Sequence, residues 1–222
     1  MRKDIIFFDL DGTLTDSMPG ITKGVQYALR RYGIMEEDLN KLKPFVGPPL
    51  HESFMEYYGF SLEQGMEAIV VFREYYNVTG WKENAPYPGV RDLLECLQAA
   101  GLGLCVATSK PERTAKRVLE HFGLLPYFTF VGGADDDSTR VKKDDVIRYV
   151  MEECKYTEAD KERILMVGDR HHDMEGAKKA GISAAGVLYG YGSLKELLTS
   201  GADWVAETPK ELGERILAGD FR

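Results

Sequence analysis

The sequence is poor in cysteine and contains no long hydrophobic run. Its three cysteines, Cys96, Cys105 and Cys154, are odd in number and widely spaced, which argues against a disulfide framework or a zinc site. No apolar run approaches the roughly 18 residues that a membrane span needs, and the first residues lack the order of a signal peptide. These absences favour a cytoplasmic protein that does not enter a membrane.

The sequence also lacks an excess of basic residues. It has 28 lysines and arginines against 36 aspartates and glutamates, which gives a formal net charge of −8 at pH 7. Nucleic acids and anionic membranes bind clustered basic faces, so neither is expected as the main partner. An anionic substrate would need a bound cation to offset this acidic balance.

What the sequence does contain is a regular alternation of short apolar segments and helical patterns. With 222 residues and 44% hydrophobic residues, it is long enough for a well-buried globular core. Strands are predicted at 4–8, 103–107, 128–131, 164–167 and 183–187, and helices at 90–100, 113–122, 146–154, 174–180 and 194–200. This alternation predicts an α/β fold with a doubly wound parallel sheet.

One stretch interrupts the alternation. Between the first and second predicted strands the sequence favours only helices, at 21–32, 50–58 and 62–77. We therefore predict an inserted helical cap domain at 17–84 and an α/β core domain made of 1–16 and 85–222. A cap of this kind can close over a site on the core.

Two carboxylates directly follow the first predicted strand. Asp9 and Asp11 are two residues apart, and Gly12 allows the sharp turn that would aim both at one point. One carboxylate could attack a substrate while the other moves a proton, because like charges push their pKa values apart. A simple turn with a helix cap fits the same residues, so this pair alone does not decide between the two interpretations.

Polar groups also follow the other predicted strands. Thr108 and Ser109 end the second strand, Lys143 begins a helix, and Asp169 and Asp173 surround the start of another helix. Taken singly, each could be a helix cap or a surface group. Because the carboxyl ends of parallel strands meet at one edge of a sheet, together they predict a site for Mg²⁺ and a phosphoryl group.

The order of these motifs resembles the haloacid dehalogenase-like hydrolase superfamily. The matching segments are DLDGT, TSK, a downstream lysine and GDRHHD, with the cap inserted between the first two. Three further segments, FVGPPL, YPGV and GVLYGYGSL, resemble the branch that contains bacterial phosphoglycolate phosphatases and 5′-nucleotidase-like enzymes. The resemblance covers essentially the whole chain.

The resemblance implies a role for each matching residue. Asp9 corresponds to the nucleophile that forms an aspartyl-phosphate and binds Mg²⁺, and Asp11 to the general acid and base whose backbone carbonyl also binds the metal. Thr108 corresponds to the phosphate-binding hydroxyl, supported by Ser109. Asp169 and Asp173 correspond to the remaining acidic groups at the metal.

The third motif departs from the family pattern. Many relatives have Gly-Lys-Pro there, whereas this chain has Val-Lys-Lys-Asp-Asp at 141–145. We prefer Lys143 as the catalytic and phosphate-binding lysine, and Lys142 stays open. In the predicted cap, Gly47 and Arg73 are the candidates for contact with the substrate, since a fixed turn and a guanidinium suit recognition of a leaving group.

The resemblance implies a Mg²⁺-dependent phosphatase that hydrolyses a small phosphorylated metabolite, such as phosphoglycolate or a nucleoside 5′-monophosphate. A β-phosphoglucomutase-like sugar-phosphate mutase shares the fold and the aspartate pair. A non-enzymatic phospho-aspartate switch is a third alternative, although such receivers are much shorter and lack the insertion. We expect a monomer or weak homodimer, and a solvated loop for the acidic run at 135–137.

Overall fold

The computed structural model describes residues 3–135 and 140–219, so the last two residues of the acidic run at 135–137 lie outside the described residues. The strands are β1 (Ile5–Phe8), β2 (Thr15–Asp16), β3 (Ala85–Pro86), β4 (Gly103–Pro111), β5 (Phe130–Ala134), β6 (Ile164–Gly168), β7 (Ser183–Val187) and β8 (Trp204–Ala206). The α-helices are α1 (Met18–Arg31), α2 (Leu50–Tyr58), α3 (Leu62–Tyr76), α4 (Val90–Ala99), α5 (Glu112–His121), α6 (Lys143–Glu153), α7 (His171–Ala180), α8 (Leu194–Ser200) and α9 (Pro209–Ala218). None of these described helices combines the length and apolar character that a membrane span requires.

The main sheet has six parallel strands in the order β5-β4-β1-β6-β7-β8. The chain moves outward from β1 to β4 and β5, then returns to the other side of β1 with β6, β7 and β8. The predicted α/β fold with a doubly wound parallel sheet is therefore confirmed. Ligands bind such sheets at the carboxyl ends of the strands where the order reverses, which here means beside β1.

The strands beside β1 are apolar because helices cover both faces of a parallel sheet. All four residues of β1 and all five of β6 are buried. On one face, Phe7 and Met166 pack with Val146 and Ile147 of α6 and Met174 of α7. This packing fixes the starts of α6 and α7 close to the carboxyl ends of the strands.

The chain divides into two compact units. One comprises 1–15 and 86–222 and contains the six-stranded sheet, and the other comprises 16–85. Within the second unit, α1 packs against α3 and against the turn at Gly80–Lys82, where Gly20 and Gly80 allow the two backbones to approach closely. The roles predicted for these units, a core domain made of 1–16 and 85–222 and a cap at 17–84, stay predictions.

Two strands differ from their predicted bounds by more than one residue, and β2, β3, β8 and α9 were not predicted. Strand β4 continues beyond 107 to Pro111, with a shift of register against β5 after Ala107. Strand β5 begins at Phe130 and includes Gly132, which leaves space for Val150 of α6, and Gly133, which lets β4 and the start of α5 pass close by. Near the C-terminal end, β8 and α9 extend the sheet and cover it.

Candidate active site

The loop after β1 directs its polar groups toward the carboxyl edge of the sheet. Asp9 continues the strand, since its backbone N–H donates to Val167 O at 2.9 Å. The chain then turns tightly at Gly12, whose positive φ of 87° suits a glycine. Gly12 is also required for space, because a side chain there would overlap the Asp169 carboxylate.

Asp169 follows β6 directly and is fully buried. The Thr13 hydroxyl donates to its Oδ1 at 3.2 Å, and the Tyr191 backbone N–H donates to its Oδ2 at 2.9 Å. Burial, followed by the negative charges of Asp173 and Asp9, raises the pKa of Asp169 well above its usual range. The fold thus holds a carboxylate where its charge is poorly compensated.

Lys143, the first residue of α6, is buried among these acids. Its Nζ lies 2.9 Å from Asp9 Oδ1 and 2.8 Å from Asp173 Oδ1, and it donates a hydrogen bond to Ala107 O at 3.1 Å. Burial lowers the pKa of this lysine, but the carboxylates of Asp173 and Asp9 outweigh that effect and raise it above its usual value. Lys143 is therefore a permanent positive charge at the end of β1.

Asp173 contacts both the start of α7 and Lys143. Its Oδ2 accepts a hydrogen bond from the Arg170 backbone N–H at 3.1 Å, which caps the helix, while its Oδ1 faces Lys143. Burial raises its pKa, Lys143 opposes this shift and Asp9 adds to it. Asp173 therefore caps α7 and also lies against Lys143, and its role at a metal stays a prediction.

Three carboxylates converge at this edge of the sheet. Oxygen atoms of Asp9, Asp169 and Asp173 lie within 4.8 Å of one another. Asp9 Oδ1 and Asp173 Oδ1 are buried and share the single ammonium of Lys143, at 2.9 and 2.8 Å. The group holds one ammonium for three carboxylates, and that ammonium contacts only Asp9 and Asp173, so the residues present fit a divalent cation with hard oxygen ligands.

The second predicted motif lies on an extended strand rather than at a helix start. Thr108 is buried in β4, and its Oγ1 accepts a hydrogen bond from the Lys110 backbone N–H at 3.2 Å. Ser109 is half-buried and, in an alternating strand, points away from Thr108. The interpretation of Ser109 as the helix cap is wrong, because Pro111 occupies that position of α5.

The other predicted site residues, Lys142, Gly47 and Arg73, are all exposed. Lys142 is exposed at the N-cap of α6, which favours Lys143 over Lys142 as the lysine of the site. Gly47 and Arg73 are exposed residues of the 16–85 unit, in the turn before α2 and in the last turn of α3. Their contact with a substrate stays a prediction.

Two residues at the site were missed by the sequence analysis. Lys110 Nζ lies 3.0 Å from Asp11 Oδ1 and 2.9 Å from Asp11 Oδ2. Glu196 Oε1 accepts hydrogen bonds from Arg170 Nε at 2.9 Å and from the His171 backbone N–H at 3.0 Å, which fixes the segment after Asp169. The position of Lys110 two residues after Thr108 was the available signal, since alternate residues of a strand share a face.

The chain is similar to proteins of known family. The family described as haloacid dehalogenase-like hydrolase matches residues 6–187. A Pseudomonas aeruginosa protein named 5′-nucleotidase is 44% identical over 197 residues, which cover 89% of this chain and 88% of that protein. A Vibrio vulnificus phosphoglycolate phosphatase is 30% identical over 221 residues, with 96% of each chain covered.

Two further similarities differ in coverage. A Mycobacterium tuberculosis protein named tyrosine-protein kinase PtkA is 41% identical over 188 residues, which cover 85% of this chain but 63% of that longer protein. The crystal structure of a predicted phosphatase from Clostridium acetobutylicum superposes with a TM-score of 0.93 at 44% identity, covering 98% of this chain and 100% of that one. The fold is thus shared over almost the full length.

Proposed function

This chain belongs to the haloacid dehalogenase-like hydrolases and is a phosphoric monoester hydrolase, and we propose that it works through an aspartyl-phosphate formed on Asp9 with Mg²⁺ bound. The observation that carries the proposal is the buried group of Asp9, Asp169, Asp173 and Lys143 beside β1. Its relatives named 5′-nucleotidase and phosphoglycolate phosphatase support a small phosphorylated metabolite as the substrate.

In the first step, a carboxylate oxygen of Asp9 attacks the phosphorus atom of the substrate. The bond from phosphorus to the leaving oxygen breaks, and Asp11 gives a proton to that oxygen so that an alcohol departs. In the second step, water attacks the phosphorus atom and gives a proton to Asp11. The bond to Asp9 then breaks and inorganic phosphate leaves.

Lys143 and Thr108 assist by binding the phosphoryl oxygens. Lys143 is already held against Asp9 by its ion pairs, so its charge is in place before the substrate arrives. Such pre-positioned charge stabilises the developing negative charge without further reorganisation. Ser109 supports this phosphate-binding segment in the proposal, and Gly47 and Arg73 contribute recognition from the 16–85 unit.

Asp9, Asp169 and Asp173 would hold the metal, together with the backbone carbonyl of Asp11. A bound Mg²⁺ neutralises charge between the carboxylate nucleophile and an anionic substrate. The excess of negative charge in this group, three close carboxylates with one ammonium, supports this assignment. We place the reaction in the cytoplasm, where the cysteines remain reduced.

The proposal is tested by phosphate release from phosphoglycolate, nucleoside 5′-monophosphates, sugar phosphates and p-nitrophenyl phosphate. The enzyme is assayed with Mg²⁺, with EDTA, and as the Asp9→Asn variant. We expect release with Mg²⁺, and its loss both in EDTA and in the variant. Folded protein that binds Mg²⁺ but releases no phosphate would contradict the proposal, and conversion of a sugar phosphate that needs a bisphosphate primer would favour the mutase.

A further inference from the structure

Lys110 and Asp11 form a second buried ion pair near the first. The lysine Nζ lies within 3.0 Å of both carboxylate oxygens of Asp11, and the side chains are only 5% and 14% exposed. Lys110 comes from β4 and Asp11 from the loop after β1, so the contact joins two neighbouring strand ends. It is separate from the contacts of Lys143 with Asp9 and Asp173.

Stability does not explain the burial of this pair. Removing two charges from water costs about as much free energy as their attraction returns, so a buried ion pair is weak evidence for stability. The contact does restrict geometry, since a single ammonium touching both oxygens limits rotation of the carboxylate. The Lys110 backbone is itself anchored to Thr108 Oγ1 at 3.2 Å.

We propose that Lys110 is a positioning residue that holds the Asp11 carboxylate in the orientation from which it moves protons. This inference rests on the proposed function, in which Asp11 protonates the leaving oxygen and later takes a proton from the attacking water. Lys110 takes no proton in either step, and while one oxygen of Asp11 carries the proton the ammonium contacts the other oxygen. The two lysines thus have different partners. Lys143 contacts the nucleophile Asp9, and Lys110 contacts Asp11, which carries the proton.

A substrate with a good leaving group separates the two steps. A nitrophenolate leaves without being protonated, so transfer of the phosphoryl group from p-nitrophenyl phosphate to Asp9 does not depend on Asp11. The attack of water on the aspartyl-phosphate still needs Asp11 as a base. A defect in the position of Asp11 therefore leaves the first step intact and slows the second.

The test is a rapid-mixing experiment with p-nitrophenyl phosphate and the Lys110→Met variant, which replaces the ammonium with an uncharged chain of similar length. We expect a burst close to one nitrophenolate per enzyme, followed by turnover about 100-fold slower than wild type, the size of effect expected of a misplaced catalytic group. The burst also shows that the variant is folded, because a misfolded enzyme gives none. Lys110→Arg should recover part of the turnover, since a guanidinium can also contact both carboxylate oxygens.

A double-mutant comparison tests whether Lys110 acts through Asp11. Asp11→Asn and the double variant Asp11→Asn with Lys110→Met should turn over at rates within about twofold of each other, because the second change removes an interaction already lost. Lys116→Met is the matched control. Lys116 pairs with Glu112 on the exposed side of α5, and its replacement should leave turnover at the wild-type rate.

Three results would overturn the inference. They are wild-type turnover in Lys110→Met, loss of the burst in folded Lys110→Met, and a further large drop when Lys110→Met is added to Asp11→Asn. Failure of the proposed function looks different, because Asp9→Asn would then keep its activity whatever stands at position 110.

Discussion

Charged residues are exposed at one edge of the six-stranded sheet and buried at the other. At the amino edge, Asp4 precedes β1 and Arg163 precedes β6, and they form a two-pronged ion pair at 2.9 Å with side chains 36% and 44% exposed. At the carboxyl edge, Lys143 is 4% exposed and faces Asp9 and Asp173. Exposed pairs keep most of their hydration, whereas the buried group has lost it.

This difference indicates that the fold keeps an electrostatically unfavourable arrangement at the carboxyl edge because function requires it there. The exposed pair satisfies both partners, while the buried group brings one ammonium against three carboxylates and raises the pKa of Asp169 and Asp173. Strong perturbation of titratable groups in one place is typical of active sites. The comparison predicts that equivalent substitutions at the two edges have very different effects.

The largest effect is expected for Asp9→Asn. Loss of the nucleophile should lower the turnover number by at least about 10⁴-fold, the scale found when a nucleophilic group is removed. The measurement is phosphate release at saturating Mg²⁺ and substrate. Asp4→Asn, at the opposite end of the same strand, is the matched control, and retained activity in Asp9→Asn would contradict the assignment.

The next largest effect is expected for Lys143→Met. Removal of one partner from a buried ion pair typically costs about 3–5 kcal/mol of stability, because the remaining charges are left without compensation. A bound divalent cation would offset part of this loss, so the fall in Tm should be smaller with Mg²⁺ than with EDTA. Turnover should fall about 10²-fold to 10³-fold. An equal fall in Tm under both conditions would argue against a cation at this site.

A smaller effect is expected for Gly176→Ala. A side chain there would lie 2.7 Å from Lys143 Cβ and Cγ, so α7 and α6 must shift at the site. Overpacking of this kind costs about 1–3 kcal/mol, which the helix preference of alanine partly offsets. We expect a modest fall in Tm with a clear loss of turnover.

Gly103→Ala at the amino edge is the control for that substitution. The nearest atom to a new side chain there is the Tyr156 hydroxyl oxygen at 3.4 Å, an ordinary contact distance. Turnover should stay at the wild-type rate. If Gly176→Ala and Gly103→Ala lost turnover equally, the distance of a glycine from the carboxyl edge would not determine the effect of its substitution on turnover.

The smallest effect is expected for Asp4→Asn. The Asp4–Arg163 pair is largely exposed, and exposed pairs contribute little to stability because water and salt screen them. Phosphate release should be unchanged, and the small shift in Tm should disappear at high salt. A large loss of activity would break the contrast between the two edges.

Much of the sheet could be predicted from the sequence because buried parallel strands are short apolar segments with clear ends. The bounds of β7 and α8 agree with the prediction to the residue, and β1 and β6 agree within one residue. The polar residues after these strands could then be placed at one edge by topology alone. For this reason the sequence alone predicts that Asp9, Asp169 and Lys143 lie near one another.

Other features depend on contacts that the sequence does not contain. Strand β8 has only three residues, too few to show a period, and the glycines of β5 hide its continuation past 131. The position of Lys110 in its strand indicates only that it shares a face with Thr108, and its ion pair joins residues 99 apart in the chain. A lysine is usually a solvated surface group, and only the fold shows that this one faces Asp11.

Asp9 is the residue on which the proposed mechanism depends most, because it carries the phosphoryl group. The direct measurement is to mix the Asp11→Asn variant with p-nitrophenyl phosphate and Mg²⁺, quench with acid, reduce with borohydride and identify the modified peptide by mass spectrometry. Asp11→Asn slows hydrolysis of the intermediate, so an aspartyl-phosphate should accumulate and be reduced to homoserine at position 9. Modification at another residue, or no modification while nitrophenolate is released, would contradict the account.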